Sequence, residues 1–275
     1  MKIQEKFELR DRVAVVTGGA GLLGAEYCRT LAEAGAALAV VDLNKKAATQ
    51  TAESLSKEGY RARAFAADVT QGDEVKRLIA AILSEFGRLD ILVNSAALDP
   101  KFDPQALAKG ITAGNFEDYP ADLWNASLNV NLTGMFLVTQ ACVKPMIEQG
   151  RKGSIINICS TYGLNGPDQN IYMKDGKRLA FKPVDYSVTK AGVLGFTKYL
   201  AAYYANTEIR VNTLTPGGIF NGHDDQFVKH YSARTILGRM ARKDEMNGAL
   251  LFLASDASSY MTGSNLVVDG GWTAW

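Results

Sequence analysis

The stretch "VVTGGAGLLG" (15–24) decides how the rest of the chain is read. From Gly19 it fits G-x-G-x-x-G, through Gly21 and Gly24; from Thr17 it fits T-G-x-x-G-x-x-G. It misses a third template, T-G-x-x-x-G-x-G, only at Leu22. All three describe one physical device. A strand ends in a tight turn, a helix starts, and the backbone N–H groups at the helix N-terminus face a pyrophosphate. Gly18 and Gly19 allow the turn, and Gly24 lets the helix lie close to the sheet. The main chain of Gly18, Gly21, Leu22, Leu23 and Gly24 is therefore the expected phosphate cradle.

Outward from this turn, strand and helix patterns alternate. "RVAVVT" (12–17) is an apolar, β-branched strand and "GAEYCRTLAEAG" (24–35) a helix closed by glycine. "ALAVVD" (37–42) and "RARAFAADV" (61–69) read as strands around a helix at 45–59. A helix at 72–87 leads to strand "LDILVNSAA" (89–97). A long helix at 120–150, strand "GSIINICS" (153–160) and a second long helix at 185–205 follow. Strand "IRVNTLTP" (209–216), helix "EMNGALLFLAS" (245–255) and a short strand "NLVVDGG" (265–271) complete the series. Uninterrupted apolar strands between helices predict an α/β fold: one domain over 1–275 with a doubly wound, mostly seven-stranded parallel sheet and helices on both faces. Ligands then bind beyond the carboxyl ends of the strands. Two stretches, 98–119 and 165–184, break the rhythm and read as loop insertions.

Composition excludes several classes of partner. The 275 residues are 47% hydrophobic and carry a net charge of +1. No broad basic field points to nucleic acid or to a membrane surface. No run approaches the ~18 apolar residues of a membrane span, and "MKIQEKFELRDR" lacks the apolar centre of a secretion signal. A cytoplasmic protein is expected. Cys28, Cys142 and Cys159 are odd in number and read as buried thiols of a reducing compartment. With only His223 and His230, and no paired cysteines, no metal site is expected.

Asp42 ends the second strand, where a carboxylate accepts both ribose hydroxyls of an adenosine and repels a 2′-phosphate. Leu43 follows, and no Arg or Lys lies between Gly18 and Gly24. NAD is favoured over NADP. The competing reading of Asp42 is a helix N-cap.

In "YSVTK" (186–190), Tyr186 and Lys190 are four apart and share a helix face. A nearby ammonium, and the positive nicotinamide ring, lower the tyrosine pKa. The phenolate then takes a proton from an alcohol. Here the chain resembles the short-chain dehydrogenase/reductase family over nearly its whole length, in the short single-domain branch with a variant glycine motif. The motifs stand in family order: "TGGAGLLG", "DV" (Asp68, Val69), "NSAA" (94–97, a variant of Asn-Asn-Ala-Gly), "NVNLTG" with Asn131, "NICS" with Ser160, "YSVTK", "PGGIFN" (216–221) and "VDGG" (268–271).

The resemblance implies roles. Tyr186 is the general acid/base, and Lys190 holds the nicotinamide ribose and depresses the tyrosine pKa. Ser160 positions the substrate oxygen, and Asn131 helps hold a water in a proton relay from Lys190. Asp68, Val69, Asn94, Ala96, Pro216, Gly217, Ile219 and Asn221 join the glycine turn, Asp42, Leu43, Tyr186 and Lys190 around the cofactor. Asn221 replaces a threonine that commonly makes this contact. Asn131 and Ser160 have a plainer alternative, the satisfaction of backbone groups. The resemblance also implies a homotetramer or a dimer, with helices 120–150 and 185–205 pairing between subunits. Trp272 and Trp275 are expected to pack on a neighbour or to cap a neighbour's site.

Ser160 and Tyr186 are separated by about twice the family's usual distance. The extra segment carries Asp168, Gln169, Asn170, Lys174, Lys177, Arg178 and Lys182. A loop beginning beside the serine overhangs the substrate, and its polarity points to a sugar, sugar acid or sugar phosphate. A surface hairpin or subunit contact is the alternative. Lys101 and Lys109 stand on the first insertion, 98–119, which follows the fourth strand and is a candidate for the opposite wall of the site. His223, Asp224 and Asp225 are candidates for either substrate contact or helix capping. The leading expectation is an NAD-dependent dehydrogenase interconverting a secondary alcohol and a ketone. Two further readings remain: a nucleotide-sugar-modifying enzyme that uses NAD within its cycle, and a non-catalytic NAD-sensing module. The first needs a substantial C-terminal substrate domain, and the residues after Lys190 are taken up by the last helix and strands.

Overall fold

The computed structural model describes residues 2–99, 114–174, 176–178 and 180–275. Lys101 and Lys109, and most of the first insertion, lie outside them. Strands β1 (Val13–Thr17), β2 (Ala37–Asp42), β3 (Ala62–Ala66), β4 (Ile91–Asn94) and β5 (Gly153–Ile158) form the sheet with β8 (Ile209–Pro216) and β9 (Asn265–Val268). Their order is β3-β2-β1-β4-β5-β8-β9, parallel throughout. The order reverses between β1 and β4, so the crevice that receives a ligand opens at the carboxyl ends of these two strands.

Alternation on the pleat builds two cores. Ala14 and Val16 join Leu38, Val40, Ile91 and Val93 on one face, under α1 (Leu22–Glu33), α2 (Lys45–Lys57) and α8 (Asn247–Ala254). Val13 and Val15 join Ala39, Val41, Leu92 and Ile155 on the other, under α3 (Gly72–Phe86), α5 (Met135–Glu148) and α6 (Val184–Tyr203). All of β1 is buried, which is why the strands read as unbroken apolar runs. Cys28, Cys142 and Cys159 are free and buried, as expected.

The helix expected over 120–150 is three segments. α4 (Ala121–Leu128) passes into a π turn (Asn129–Gly134) and then α5. Residues 121–148 are long and apolar enough on average to cross a membrane, although polar residues interrupt every apolar run. Val138, Cys142, Val143 and Met146 on this helix pack onto the sheet, as a core helix does.

The second insertion is not the structureless loop expected. It holds a short 3-10 helix (Gln169–Tyr172) and a two-stranded antiparallel hairpin, β6 (Met173–Lys174) with β7 (Lys177–Arg178). Gly176 turns the hairpin with φ +73°, a value that favours glycine. α7 (Asp225–Ser232) follows the Pro-Gly segment.

Candidate active site

The glycine turn is close-packed backbone on backbone. Gly18 has φ +63°, and a Cβ there would lie 2.9 Å from Ala96 Cα. A Cβ at Gly24 would lie 2.0 Å from Gly18 O. Gly21 N–H closes the turn onto Gly18 O at 2.9 Å. α1 begins at Leu22, with Gly21 as its N-cap and no side chain capping its first turn. The N–H groups of Leu22, Leu23 and Gly24 thus point out of an uncapped helix end, where anions bind. The variant residue Leu22 costs nothing here: it is the first helical residue, and its side chain is exposed.

Asp42 closes β2 beside this turn. Its Oδ2 accepts from Ala20 N at 3.1 Å and its Oδ1 from Asn44 N at 3.0 Å. The capping task considered for Asp42 belongs to Asn44, whose side chain accepts from Ala47 N at the start of α2. Leu43 is 73% exposed beside it. The Asp68 carboxylate accepts from Thr70 N and Thr70 Oγ1 at 2.9 and 2.7 Å, which holds its pKa below the usual range. Val69 is buried against Gly134, where a Cβ would come within 2.7 Å of Val69 Cγ2. These residues fit a dinucleotide: an open helix N-terminus, a cradle too tight for side chains, and a carboxylate at the ribose position.

Asn94 and Ala96 divide between fold and site. The Asn94 amide turns into the sheet and donates to Thr139 Oγ1 (2.9 Å) and Asn157 Oδ1 (2.8 Å). Asn157 continues the chain to Thr197, which Thr213 also meets. This buried polar ladder ties β4, β5 and β8 to α5 and α6, while Asn94 Oδ1 is buried with no partner. Thr17 Oγ1 accepts from both Ser95 N and Ala96 N, which folds the end of β4 over the glycine turn.

Four elements bring the expected catalytic set together. Ser160, at the end of β5, caps a 3-10 turn (Thr161–Gly163) by accepting from Tyr162 N at 3.2 Å. Its hydroxyl also shares a hydrogen bond with that of Tyr186. Tyr186 and Lys190 lie on α6, and Lys190 Nζ donates to Ile158 O at 2.9 Å. Asn131 sits in the π turn, a local irregularity frequent at functional sites. Its carboxamide is engaged by Leu98 on both sides, accepting from Leu98 N (2.7 Å) and donating to Leu98 O (3.0 Å). It also donates to Thr189 Oγ1, which in turn donates to Tyr186 O. The Asn131 side chain is thus fixed by the fold.

Electrostatics here differ from expectation. Burial, not Lys190, is the largest influence on Tyr186, and it raises the phenol pKa; Asp99 adds to the rise and the Ser160 bond opposes it. Lys190 is turned to Ile158 O, its ammonium 5.8 Å from the Tyr186 ring centroid. Burial lowers Lys190 to about 8. In the chain alone, burial therefore favours the neutral phenol of Tyr186.

Aromatic side chains line the outer wall. Tyr162, Tyr231 and Trp272 cluster with Tyr172, Tyr186 and Phe227. Trp272 is buried and stacks on Tyr231 at 4.3 Å. The expectation that it packs on a neighbour fails, because this chain supplies its partner. Trp275 is 70% exposed, with its Nε1 donating to Arg234 O at 3.0 Å. The segment from Pro216 is hemmed in: a Cβ at Gly217 would lie 2.7 Å from Asp269 Cα. Gly218 N donates to Tyr231 Oη at 2.5 Å. Ile219 bridges to Ala241. Asn221 is exposed, its N–H donating to His223 Nδ1 at 3.2 Å. Asp224 caps α7 by accepting from Phe227 N, and Asp225 lies in its first turn, so capping accounts for this pair. His223 stacks on Phe227 at 4.9 Å. Sequence reasoning missed Asp99, Thr189 and the aromatic wall, since no spacing links Tyr162, Tyr231 and Trp272.

In the insertion, Lys182 pairs with Asp99, and Arg234 pairs with Asp168 at 3.4 Å. Arg178 donates to Gln169 O and Asn170 Oδ1 and covers the Phe181 ring at 4.8 Å. Lys174 and Lys177 stand on the hairpin.

A family model described as enoyl-(acyl carrier protein) reductase matches residues 19–273. The chain is 36% identical to a D-threitol dehydrogenase of Mycolicibacterium smegmatis, covering 99% of this chain and 97% of that one. It is 34% identical to a cyclopentanol dehydrogenase of a Comamonas species, covering 97% and 98%. The crystal structure of a gluconate 5-dehydrogenase from Burkholderia cenocepacia, in complex with NADP and tartrate, superposes with a TM-score of 0.86 at 32% identity over 100% of both chains.

Proposed function

This chain belongs to the short-chain dehydrogenase/reductase family and is an NAD(P)-dependent oxidoreductase of the CH–OH group; from that premise we propose that it oxidises a polar, carbohydrate-type secondary alcohol with NAD, using Tyr186 as the general base. The observation that carries the reading is the convergence of Ser160, Tyr186 and Lys190 at the carboxyl end of β5, beyond the glycine turn and Asp42.

The nicotinamide, when bound, supplies the hydride acceptor. The rest falls to the chain. Ser160 and Tyr186 share a hydrogen bond, so one alcohol oxygen can meet both hydroxyls. Tyr186 removes the hydroxyl proton and returns it in the reverse direction. Lys190, below its pKa of about 8, supplies a cation beside the tyrosine. Asn131, tied to α6 through Thr189, is the residue that would help hold a water passing the proton outward.

Asp42 supports NAD. Its carboxylate is anchored at the ribose position and would face a 2′-phosphate with like charge. The polar substrate is supported by the insertion, which is rich in carboxylates, amides and cations and brings Lys182 over the Tyr186 ring. Each of two cations there has its own carboxylate, which suits a polyol as well as a sugar acid. The D-threitol relative points the same way.

The test is a screen of polyols, sugar acids and sugar phosphates with both cofactors. The expected result is NADH formation on a polyol or sugar acid, with kcat/KM favouring NAD by roughly tenfold or more, the penalty of one like-charge contact. Asp42→Ser should narrow that preference. A wild-type preference for NADP would sink the cofactor assignment.

We further propose a cytoplasmic homotetramer, or a dimer, built on α4–α6. Leu123, Phe136, Tyr199 and Tyr203 are exposed there, and Tyr199 stacks on Tyr203 at 6.0 Å. Large apolar surface of this kind marks an interaction site. Light scattering should report a multiple of the 29.7 kDa chain; a single 29.7 kDa species would refute the assembly.

A further inference from the structure

Tyr186 carries a second cation, from outside the helix that bears Lys190. Lys182 Nζ lies 3.9 Å from the Tyr186 ring centroid, closer than Lys190 at 5.8 Å. A cation this near a ring face is attracted to it, and it stabilises the phenolate more than the phenol.

The surrounding structure holds Lys182 in place. The Gln169 carboxamide engages its main chain on both sides: Oε1 accepts from Lys182 N at 2.8 Å and Nε2 donates to Lys182 O at 3.4 Å. Pro183 follows and restricts the backbone before α6 begins. The ammonium is paired with Asp99, and the Lys182 side chain is only 11% exposed. Asp99 is placed by the same device, since Asn131 engages both main-chain groups of its neighbour Leu98. Two carboxamides thus fix the two ends of one ion pair across the catalytic ring.

We propose that Lys182, delivered by the insertion between β5 and α6, is a positioning residue for Tyr186: with Asp99 it sets the charge over the ring face and so the ease with which the hydroxyl gives up its proton. This rests on the reading of Tyr186 as the general base. Among the described residues, the groups facing Tyr186 are few. Lys190 comes from α6, Cys159 and Ser160 from the end of β5, Tyr162 from the 3-10 turn that follows, Tyr172 from the insertion's 3-10 helix, and Asp99 from the segment after β4. Asp99 opposes the phenolate, and Ser160 favours it. Lys182 is the group that offsets Asp99 directly.

The sign follows. Lys182→Met removes a cation and leaves Asp99 uncompensated, so Tyr186 ionises at higher pH. Asp99→Asn removes the opposing anion, so Tyr186 ionises at lower pH. The experiment is the pH dependence of kcat for alcohol oxidation in the wild type, Lys182→Met, Lys182→Arg and Asp99→Asn. It is paired with a tyrosinate absorbance titration of each, differenced against Tyr186→Phe. The rising limb should move up by about 1 unit or more in Lys182→Met, move down in Asp99→Asn, and stay near wild type in Lys182→Arg. Unmoved profiles, or shifts of the same sign, overturn the proposal. So does a raised KM with an unmoved profile, which would make Lys182 a substrate anchor instead. Should Lys182→Met not fold, the downward shift in Asp99→Asn decides alone. An active Tyr186→Phe would instead overturn the general-base reading, whereas an inactive one with unmoved profiles overturns only the role of Lys182.

Discussion

Tyr186→Phe is expected to lower kcat for alcohol oxidation by about 10²–10⁴-fold, the usual span for losing a positioned acid/base. The change removes one oxygen and keeps the ring. Packing against the cluster of Tyr162, Tyr231 and Trp272 survives, and so does the ring face beneath Lys182. What goes is the proton acceptor and the hydrogen bond with Ser160. NAD affinity and the unfolding midpoint should therefore stay near those of the parent, which separates a chemical defect from a structural one. Steady-state NADH formation, with a fluorescence titration of cofactor binding, measures both. Turnover within threefold of wild type would remove Tyr186 from the mechanism.

Gly24→Ala should damage fold and cofactor binding together. The added Cβ would lie 2.0 Å from Gly18 O, 2.8 Å from Gly18 C and 3.0 Å from Gly19 Cα. Each of these is backbone, so no flexible side chain can swing away. Relief requires α1 to shift or the turn to open, and overpacking of this kind costs about 1–3 kcal/mol. The turn that must open is also the phosphate cradle, so NAD affinity should fall further than the stability loss alone explains. Gly248→Ala is the control. It also lies in a helix, with nothing within 4 Å of its added Cβ, and should gain about 0.4–1 kcal/mol from a less flexible unfolded chain. Denaturant unfolding and NADH titration of both variants decide the matter. Equal behaviour of the two alanines would show that the contact is not limiting.

The parts legible in the sequence were those written as local spacing. Glycines at 18, 19 and 24 announce the turn because an added Cβ would clash at each of them. Val13 to Thr17 announce a central strand because burial on both faces demands apolar side chains at every position. Tyr186 and Lys190 announce a shared helix face. Groups whose role depends on the approach of distant segments were not legible. Asn94 stands in a family motif, yet its amide faces Asn157 and Thr139 across the sheet. Trp272 looked surplus to the chain until Tyr231 and Tyr162 were seen to flank it. Asp224 was ambiguous between capping and ligand contact, a choice that local geometry settles in favour of capping. Lys182 read as one of several basic loop residues, because nothing in its spacing reveals that the loop folds back over Tyr186.

The all-parallel sheet has a consequence for how the chain reaches this state. No two neighbouring strands of the sheet form a hairpin, so every pairing waits on a crossover. The centre is the most demanding: β1 pairs with β4, and the Val13 N–H finds its acceptor on Asp90, 77 residues away. Such long-range closures cost entropy before they return any stabilisation, and chains dominated by them fold slowly. During that interval β1 and β5, apolar on both faces, have no β4 between them. Self-association then competes with folding, and the yield of native protein should rise as synthesis is slowed or cooled.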